Sequence, residues 1–170
     1  MKKYRTLFLL ILALFLVFSS CENEKKSCEE LLLIAAEYGI DNYSENGYMF
    51  LKSADESSSF YMSEMQKRTL YSERFLTALN GVKDYACFLS SADPYEIAIF
   101  ECYSRDETDE ILKMCYERAD VLKVGLRFTK WEEASKWINL FTYRKYVIFI
   151  FTESAELNDA IEDILIKSLK

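Results

Sequence analysis

The sequence contains no histidine among its 170 residues. Ser-His-Asp and Cys-His nucleophile systems in their usual form are therefore excluded, and so are zinc sites that use histidine ligands. The absence leaves Ser-Lys pairs and carboxylate chemistry open. The commonest histidine-dependent mechanisms are not expected of this chain.

Glycine and proline are scarce, with four and one in the whole chain. No glycine stands in a G-x-G-x-x-G or G-x-x-x-x-G-K-S/T frame, so the dinucleotide-binding and phosphate-binding loops are absent. The scarcity also argues against long disordered stretches. No metal site is expected, because a calcium loop beginning at Asn42 would end in Ser53 and not in the required glutamate. No cofactor is expected either.

Positive charge is in deficit, with 21 Lys and Arg against 28 Asp and Glu. Without Lys2, Lys3 and Arg5, the 21 cations fall to 18 against the same 28 acidic residues, a net charge of −10. Nucleic acid and anionic headgroups repel such a chain, so nucleic acid is not expected as a partner. Contact with a membrane is expected to come from lipid and not from a basic patch.

The first 21 residues have the layout of an exported lipoprotein. A short cationic start precedes the uncharged run Leu7–Phe18, which is too short to span a bilayer, and small residues follow at Ser19 and Ser20. Small residues directly before Cys21 resemble the bacterial lipoprotein box, in which the cysteine receives a diacylglyceryl group and palmitate-like acyl chains anchor the mature protein. The alternatives are a plain signal peptide with an incidental Cys21, or an uncleaved anchor.

This layout predicts three parts. Residues 1–20 form a lipoprotein signal peptide, residues 21–27 a short tether after the lipidated Cys21, and residues 28–170 one domain. About 150 residues are enough for a domain with a sizeable core. The expected location is the outer, extracytoplasmic face of the cell membrane.

Periodicity predicts a strand–strand–helix unit that occurs twice. Capping boxes at Ser27, Ser63 and Ser104 predict helix starts, and a last helix begins after Ser154. The predicted strands are Tyr48–Leu51, Tyr85–Ser90, Tyr95–Tyr103, Ile138–Thr142 and Tyr146–Phe151. The prediction is an α+β fold: a two-layer sandwich with a mainly antiparallel sheet, two strand–strand–helix units and additional N-terminal helices.

The run Tyr146–Phe151 is apolar on both strand faces, and Ile97–Phe100 is largely so. If helices cover only one face of the sheet, an apolar face is exposed and marks an interaction site. The alternative is that the N-terminal helices cover the second face and give three layers. The candidate interaction face comprises Ile97, Ile99, Tyr146, Ile148 and Ile150.

Four cysteines follow Cys21, at positions 28, 87, 102 and 115. Cys102 precedes a strand-to-helix turn, and Cys115 lies beyond that turn on the apolar face of the helix. The distance from the turn is similar for both, so the two cysteines could face each other across the strand–helix interface. The pair is either a disulfide or two packed thiols. No C-x-x-C motif is present, so a redox enzyme is the weaker interpretation.

Several stretches resemble one family. They are Asp84-Tyr85-Ala86, Leu89-Ser90-Ser91, Glu96 to Arg105, Met114-Cys115, Arg118-Ala119-Asp120 and Arg144-Lys145-Tyr146-Val147. This pattern resembles the bacterial lipoprotein family filed as domain of unknown function 4358. That family usually has glycine before the basic residue of the later turn, where this chain has Tyr143. The resemblance implies a small extracytoplasmic lipoprotein domain and assigns no catalytic residue.

The sequence therefore favours a lipid-anchored, non-enzymatic module that binds an envelope protein or another ligand through its sheet or its acidic surface. The alternative is an envelope enzyme or redox protein that uses Cys102 and Cys115. The third hypothesis is a substrate-binding lipoprotein of a transporter. It ranks last, because the chain lacks the length for a two-lobed clamp.

Overall fold

The computed structural model describes residues 25–39, 47–90, 93 and 95–170. The predicted signal peptide, the predicted lipidation site Cys21 and the first part of the predicted tether lie outside the described residues, as does the polar segment 40–46. Within the described part of the chain, no helix is both long enough and apolar enough to cross a membrane.

The described residues form five α-helices and five β-strands. The helices are α1 (Cys28–Gly39), α2 (Glu64–Tyr71), α3 (Leu76–Gly81), α4 (Thr108–Gly125) and α5 (Ala155–Ser168). The strands are β1 (Gly47–Leu51), β2 (Asp84–Ser90), β3 (Glu96–Glu101), β4 (Asn139–Tyr143) and β5 (Tyr146–Phe151).

Local hydrogen bonds explain where the helices begin. The predicted capping box precedes α1: the Ser27 hydroxyl accepts from the Glu30 N–H at 3.1 Å, and the Glu30 carboxylate accepts from the Ser27 N–H at 2.8 Å. The box at Ser63 is also confirmed. Helix α4, which was predicted to begin at the Ser104 capping box, starts later, at Thr108, because the Thr108 N–H first closes a turn onto the Arg105 carbonyl at 3.1 Å.

The strands form one antiparallel sheet in the order β1-β2-β3-β5-β4. The β2–β3 and β4–β5 hairpins lie side by side, because β3 pairs with β5. The predicted α+β class is confirmed, with its antiparallel sheet, its two strand–strand–helix units and its additional N-terminal helices.

Helices cover both faces of the sheet, which gives three layers and not the predicted two. Ile97 and Ile99 of β3 face α1 and α5, whereas Ala98 and Phe100 face the layer formed by α2, α3 and α4. The two hairpins are thus followed by helices on opposite faces. Every residue of β3 and β5 is buried, and strands that are apolar on both faces need cover on both.

The predicted exposed interaction face is wrong. Side chains of two helices pack in one hydrophobic cluster with that face: Leu31 and Leu32 of α1, and Ile161 and Leu165 of α5. Its members have little or no exposed surface: Ile97 0%, Ile99 0%, Tyr146 3%, Ile148 0% and Ile150 0%. This sheet face is core, so any binding surface lies elsewhere.

Candidate functional site

A cleft of about 930 Å³ opens at the end of the sheet where β3 ends and β5 begins. Four segments wall it: the chain before α1, the loop after β3, the turn between β4 and β5, and the end of α5. The register of the central strands creates this arrangement, because Glu101 at the end of β3 lies opposite Tyr146 at the start of β5.

All the charged side chains that line this cleft are cations. None of its described lining residues is Asp or Glu, although acidic residues outnumber basic ones 28 to 21 in the sequence. We call it the basic cleft. Its seven cations are Lys25, Lys26, Arg105, Arg144, Lys145, Lys167 and Lys170.

Glu101, beside the basic cleft, pairs with three lysines. Its carboxylate lies 2.8 Å from the Lys145 ammonium and 3.1 Å from that of Lys83, and it also pairs with Lys25. Burial favours the protonated acid, but hydrogen bonds from the three lysines outweigh it and lower the pKa of Glu101 to about 2. One carboxylate thus meets three ammonium groups, and positive charge remains in excess.

Further cations of the basic cleft lack acidic partners. Lys26, Arg105 and Lys167 have no carboxylate within ion-pair distance among the described residues. Some exposed lysines elsewhere do have such partners: Lys113 and Lys136 each pair with a glutamate three residues earlier, at 2.6 and 2.5 Å. The cations of the cleft therefore produce a local positive potential in an acidic protein.

Arg144 holds a strained backbone conformation in the turn between β4 and β5. Its φ of 55° lies in the left-handed region that favours glycine. The left-handed residue is thus Arg144 itself and not Tyr143, which stands where the resembling family has glycine. The Arg144 guanidinium lies 5.3 Å from the centre of the Tyr143 ring and donates to the Leu169 carbonyl at 3.4 Å. Arg144 is therefore a strained residue in this turn, and its guanidinium adds a cation to the cleft.

Two tyrosines line the basic cleft, one exposed and one buried. Tyr103 is 64% exposed. Tyr146 is buried beneath Lys25, whose ammonium lies 5.6 Å from the ring centre, and its hydroxyl has no hydrogen-bond partner among the described residues. Burial raises the pKa of Tyr146, so the phenol stays protonated at neutral pH and remains a hydrogen-bond donor.

The four described cysteines are free and buried. Cys102 and Cys115 lie in the same core cluster, unbonded. Burial raises the pKa of Cys102 to about 11 and that of Cys87 to about 12, and it also raises the pKa values of Cys28 and Cys115. At neutral pH these groups are thiols and not thiolates, and thiols are weak nucleophiles. Among the described residues, no three acidic or thiol side chains are placed to hold a metal ion.

Of the predicted interaction residues, only Tyr146 lines the basic cleft. The sequence did not predict the cleft, because the cations that line it come from four separate segments of the chain. One sequence signal points to it: the Lys25-Lys26 and Arg144-Lys145 pairs stand at the predicted tether and turn, in a chain with few cations.

Comparison with family models, curated proteins and solved structures found no match for this chain. The resemblance to the bacterial lipoprotein family with domain of unknown function 4358 stays a prediction.

Proposed function

We propose that this chain is an extracytoplasmic bacterial lipoprotein, anchored through lipid on Cys21, whose domain binds an anionic ligand in the basic cleft and catalyses no reaction. The observation that carries the proposal is the cleft, where seven cations gather without an acidic lining residue among those described. Glu101 pairs with Lys25 and Lys145, and the mutual repulsion of the other five cations favours a bound anion.

The ligand chemistry follows from the lining residues. Arginine and lysine are the side chains that bind phosphate and carboxylate groups, arginine through paired N–H donors. The cleft volume of about 930 Å³ is large enough for more than one such group. A ligand with several phosphates, or a surface that presents them, fits better than a single small ion.

The proposal of a binding module rests on the side chains that are present. The titratable side chains of the basic cleft are amines, guanidinium groups and two phenols, and burial raises the pKa of one phenol, Tyr146. The redox alternative, which uses Cys102 and Cys115, is disfavoured because both thiols are buried and their pKa values are raised. An envelope protein with an acidic segment is another partner that the cleft fits.

Lipidation is tested by labelling in a bacterial host with radioactive palmitate. The wild-type chain is expected to incorporate label and to remain with the membrane fraction, whereas Cys21→Ser loses both. Cys28→Ser is the matched control, because Cys28 is buried in the domain and should not affect labelling. Retention of label by Cys21→Ser would disprove the anchor.

Anion binding is tested by nuclear magnetic resonance on the mature Cys21→Ser chain with inorganic phosphate and glycerol phosphate as probes. Shifts are expected at the backbone amides of 103–105 and 144–146, which wall the cleft. Methylammonium is the control cation and should shift none of them. Equal shifts over the whole surface, or none, would disprove a specific anion site.

A further inference from the structure

We infer that the basic cleft docks on the phosphate headgroups of anionic phospholipids, in the same membrane that holds the lipid anchor. The inference rests on the proposed function and names the ligand of that site. Charge, position and lining chemistry each support it.

The charge of the mature chain is segregated. Of the 18 cations that remain without Lys2, Lys3 and Arg5, seven lie in the basic cleft, which leaves 11 against 28 acidic residues in the rest of the chain. An anionic surface attracts the cleft and repels the remainder. The domain therefore has one orientation of lowest energy near such a surface, with the cleft toward the lipid.

The anchor places the basic cleft close to the headgroups. Lys25 lines the cleft and stands four residues after Cys21, a span of at most about 14 Å in extended chain. The pairing of Lys25 with Glu101 fixes the end of this short connection to the sheet. Since the lipid on Cys21 lies in the bilayer, the end of the sheet that carries the cleft is also the end nearest the membrane.

The lining chemistry suits a membrane interface. Lysine, arginine and tyrosine are the residues that collect at the level of the headgroups, where the cations meet phosphates and the aromatic rings lie at the boundary with the acyl chains. Tyr103 is exposed at the cleft, and Leu169 adds apolar surface beside Lys170.

Tethering would strengthen docking. Once Cys21 is lipidated, docking of the cleft is an intramolecular event, so its effective concentration is set by the short tether and not by the protein concentration. The unlipidated chain measures the intrinsic affinity of the cleft for headgroups, to which the tether adds.

The experiment measures sedimentation of the mature Cys21→Ser chain with phosphatidylcholine vesicles, with and without phosphatidylglycerol. The test variant is the triple Lys26→Gln, Arg144→Gln, Lys167→Gln, which avoids the lysines that pair with Glu101. The matched control is Lys113→Gln, Lys123→Gln, Lys136→Gln, which has the same net charge but loses cations of helix α4 and of the segment before β4. Circular dichroism checks that all three proteins are folded.

Binding is expected only when phosphatidylglycerol is present. The cleft triple should bind about a hundredfold more weakly, and the control triple should bind like the parent. Raising the salt from about 0.1 M to about 1 M should abolish binding, because the Debye length shortens from about 10 Å to about 3 Å. Equal loss in both triples would overturn the inference, since binding would then follow net charge and not the cleft.

The phosphate probes separate the two proposals. Amide shifts with glycerol phosphate but no binding to anionic vesicles would assign the cleft to a soluble or wall-borne phosphate ester, which overturns this inference and leaves the proposed function intact. No response to phosphate, glycerol phosphate or vesicles would disprove both.

Hydrogen exchange on the vesicle-bound chain supplies a second measurement. Slower exchange is expected at the amides of 103–105 and 144–146, and unchanged exchange at 124–129, which comprise the C-terminal end of α4 and the turn after it. Protection at 124–129 without protection of the cleft loops would overturn the orientation.

Discussion

Glu96 on β3 and Arg118 on α4 form a bidentate ion pair inside the protein. The Arg118 Nε and Nη2 atoms lie 2.9 and 2.7 Å from one carboxylate oxygen of Glu96, and only 4% of the Glu96 side chain is exposed. Both residues belong to the stretches that resemble the lipoprotein family. Their pairing gives those positions a structural role, because it fastens α4 across the central strand.

Arg118→Met should destabilise the fold by about 3–5 kcal/mol, because it leaves the buried Glu96 carboxylate uncompensated. The double variant Glu96→Leu, Arg118→Met should regain most of that loss, since no buried charge remains. Urea unfolding measures both. Arg68→Met is the control: its 3.2 Å pair with Glu73 is exposed, so the change should be at most about 1 kcal/mol. A double variant as unstable as the single one would contradict this account.

The lowered pKa of Glu101 predicts that the free energy of unfolding decreases at acid pH. The pKa is about 2 in the folded chain and about 4.3 in an unfolded one, so the ionised carboxylate stabilises the fold above about pH 4.3. This contribution, about 1–3 kcal/mol because solvent screens the partly exposed lysines, is lost as the pH falls from about 4.3 toward 2. Glu101→Gln should therefore be less stable than the parent at neutral pH, and the difference should shrink toward pH 2.

Urea unfolding of both proteins across this pH range measures that difference. Glu110→Gln serves as the control, because the exposed Glu110–Lys113 pair should change stability by less than about 1 kcal/mol. A constant gap between Glu101→Gln and the parent at every pH would show that the three lysines do not act through the charge of Glu101.

Arg144→Gly should separate stability from binding. Glycine removes the left-handed strain, worth about 1–2 kcal/mol, although its greater freedom in the unfolded chain offsets part of the gain. We expect a small rise in melting temperature together with an approximately fivefold weaker affinity for anionic vesicles. Arg144→Lys keeps both the charge and the strain, so it should leave both measurements near the parent values. A less stable Arg144→Gly protein would contradict the assignment of strain.

The buried thiols predict slow chemical modification. In the folded Cys21→Ser chain, an aromatic disulfide reagent at neutral pH should modify none of the four cysteines promptly, and all four should react in denaturant. If the fold opens locally, Cys102 should react first, since it lines a small cleft of about 190 Å³. Rapid modification of native Cys102 or Cys115 would revive the redox hypothesis.

The helices and hairpins were predictable because their signals are local. Capping boxes at Ser27 and Ser63 specify hydrogen bonds within a few residues, and the strand lengths and turns define the two hairpins. The face that each helix covers was not predictable. An amphipathic stripe on α1 shows that the helix packs against something, but no local interaction distinguishes the two apolar faces of β3 and β5.

The basic cleft could not be predicted from the sequence for a related reason. Net charge averages over the chain, whereas the cleft depends on where Lys25, Arg144 and Lys167 meet, and these residues are far apart in sequence. The register of β3 against β5 and the direction of α5 bring them together. An acidic composition therefore led to the expectation that a membrane would repel the domain, and the distribution of the same charges supports the opposite proposal.

Segregated charge also governs how copies of the domain meet. In free solution, the cationic end of one copy is attracted to the acidic body of another, so the unlipidated chain should associate head to tail at low ionic strength. Under the proposed lipid anchor on Cys21, copies in one bilayer would all point the same way, and this parallel alignment would set like charges side by side. Neighbouring anchored copies should then spread apart over the surface instead of clustering.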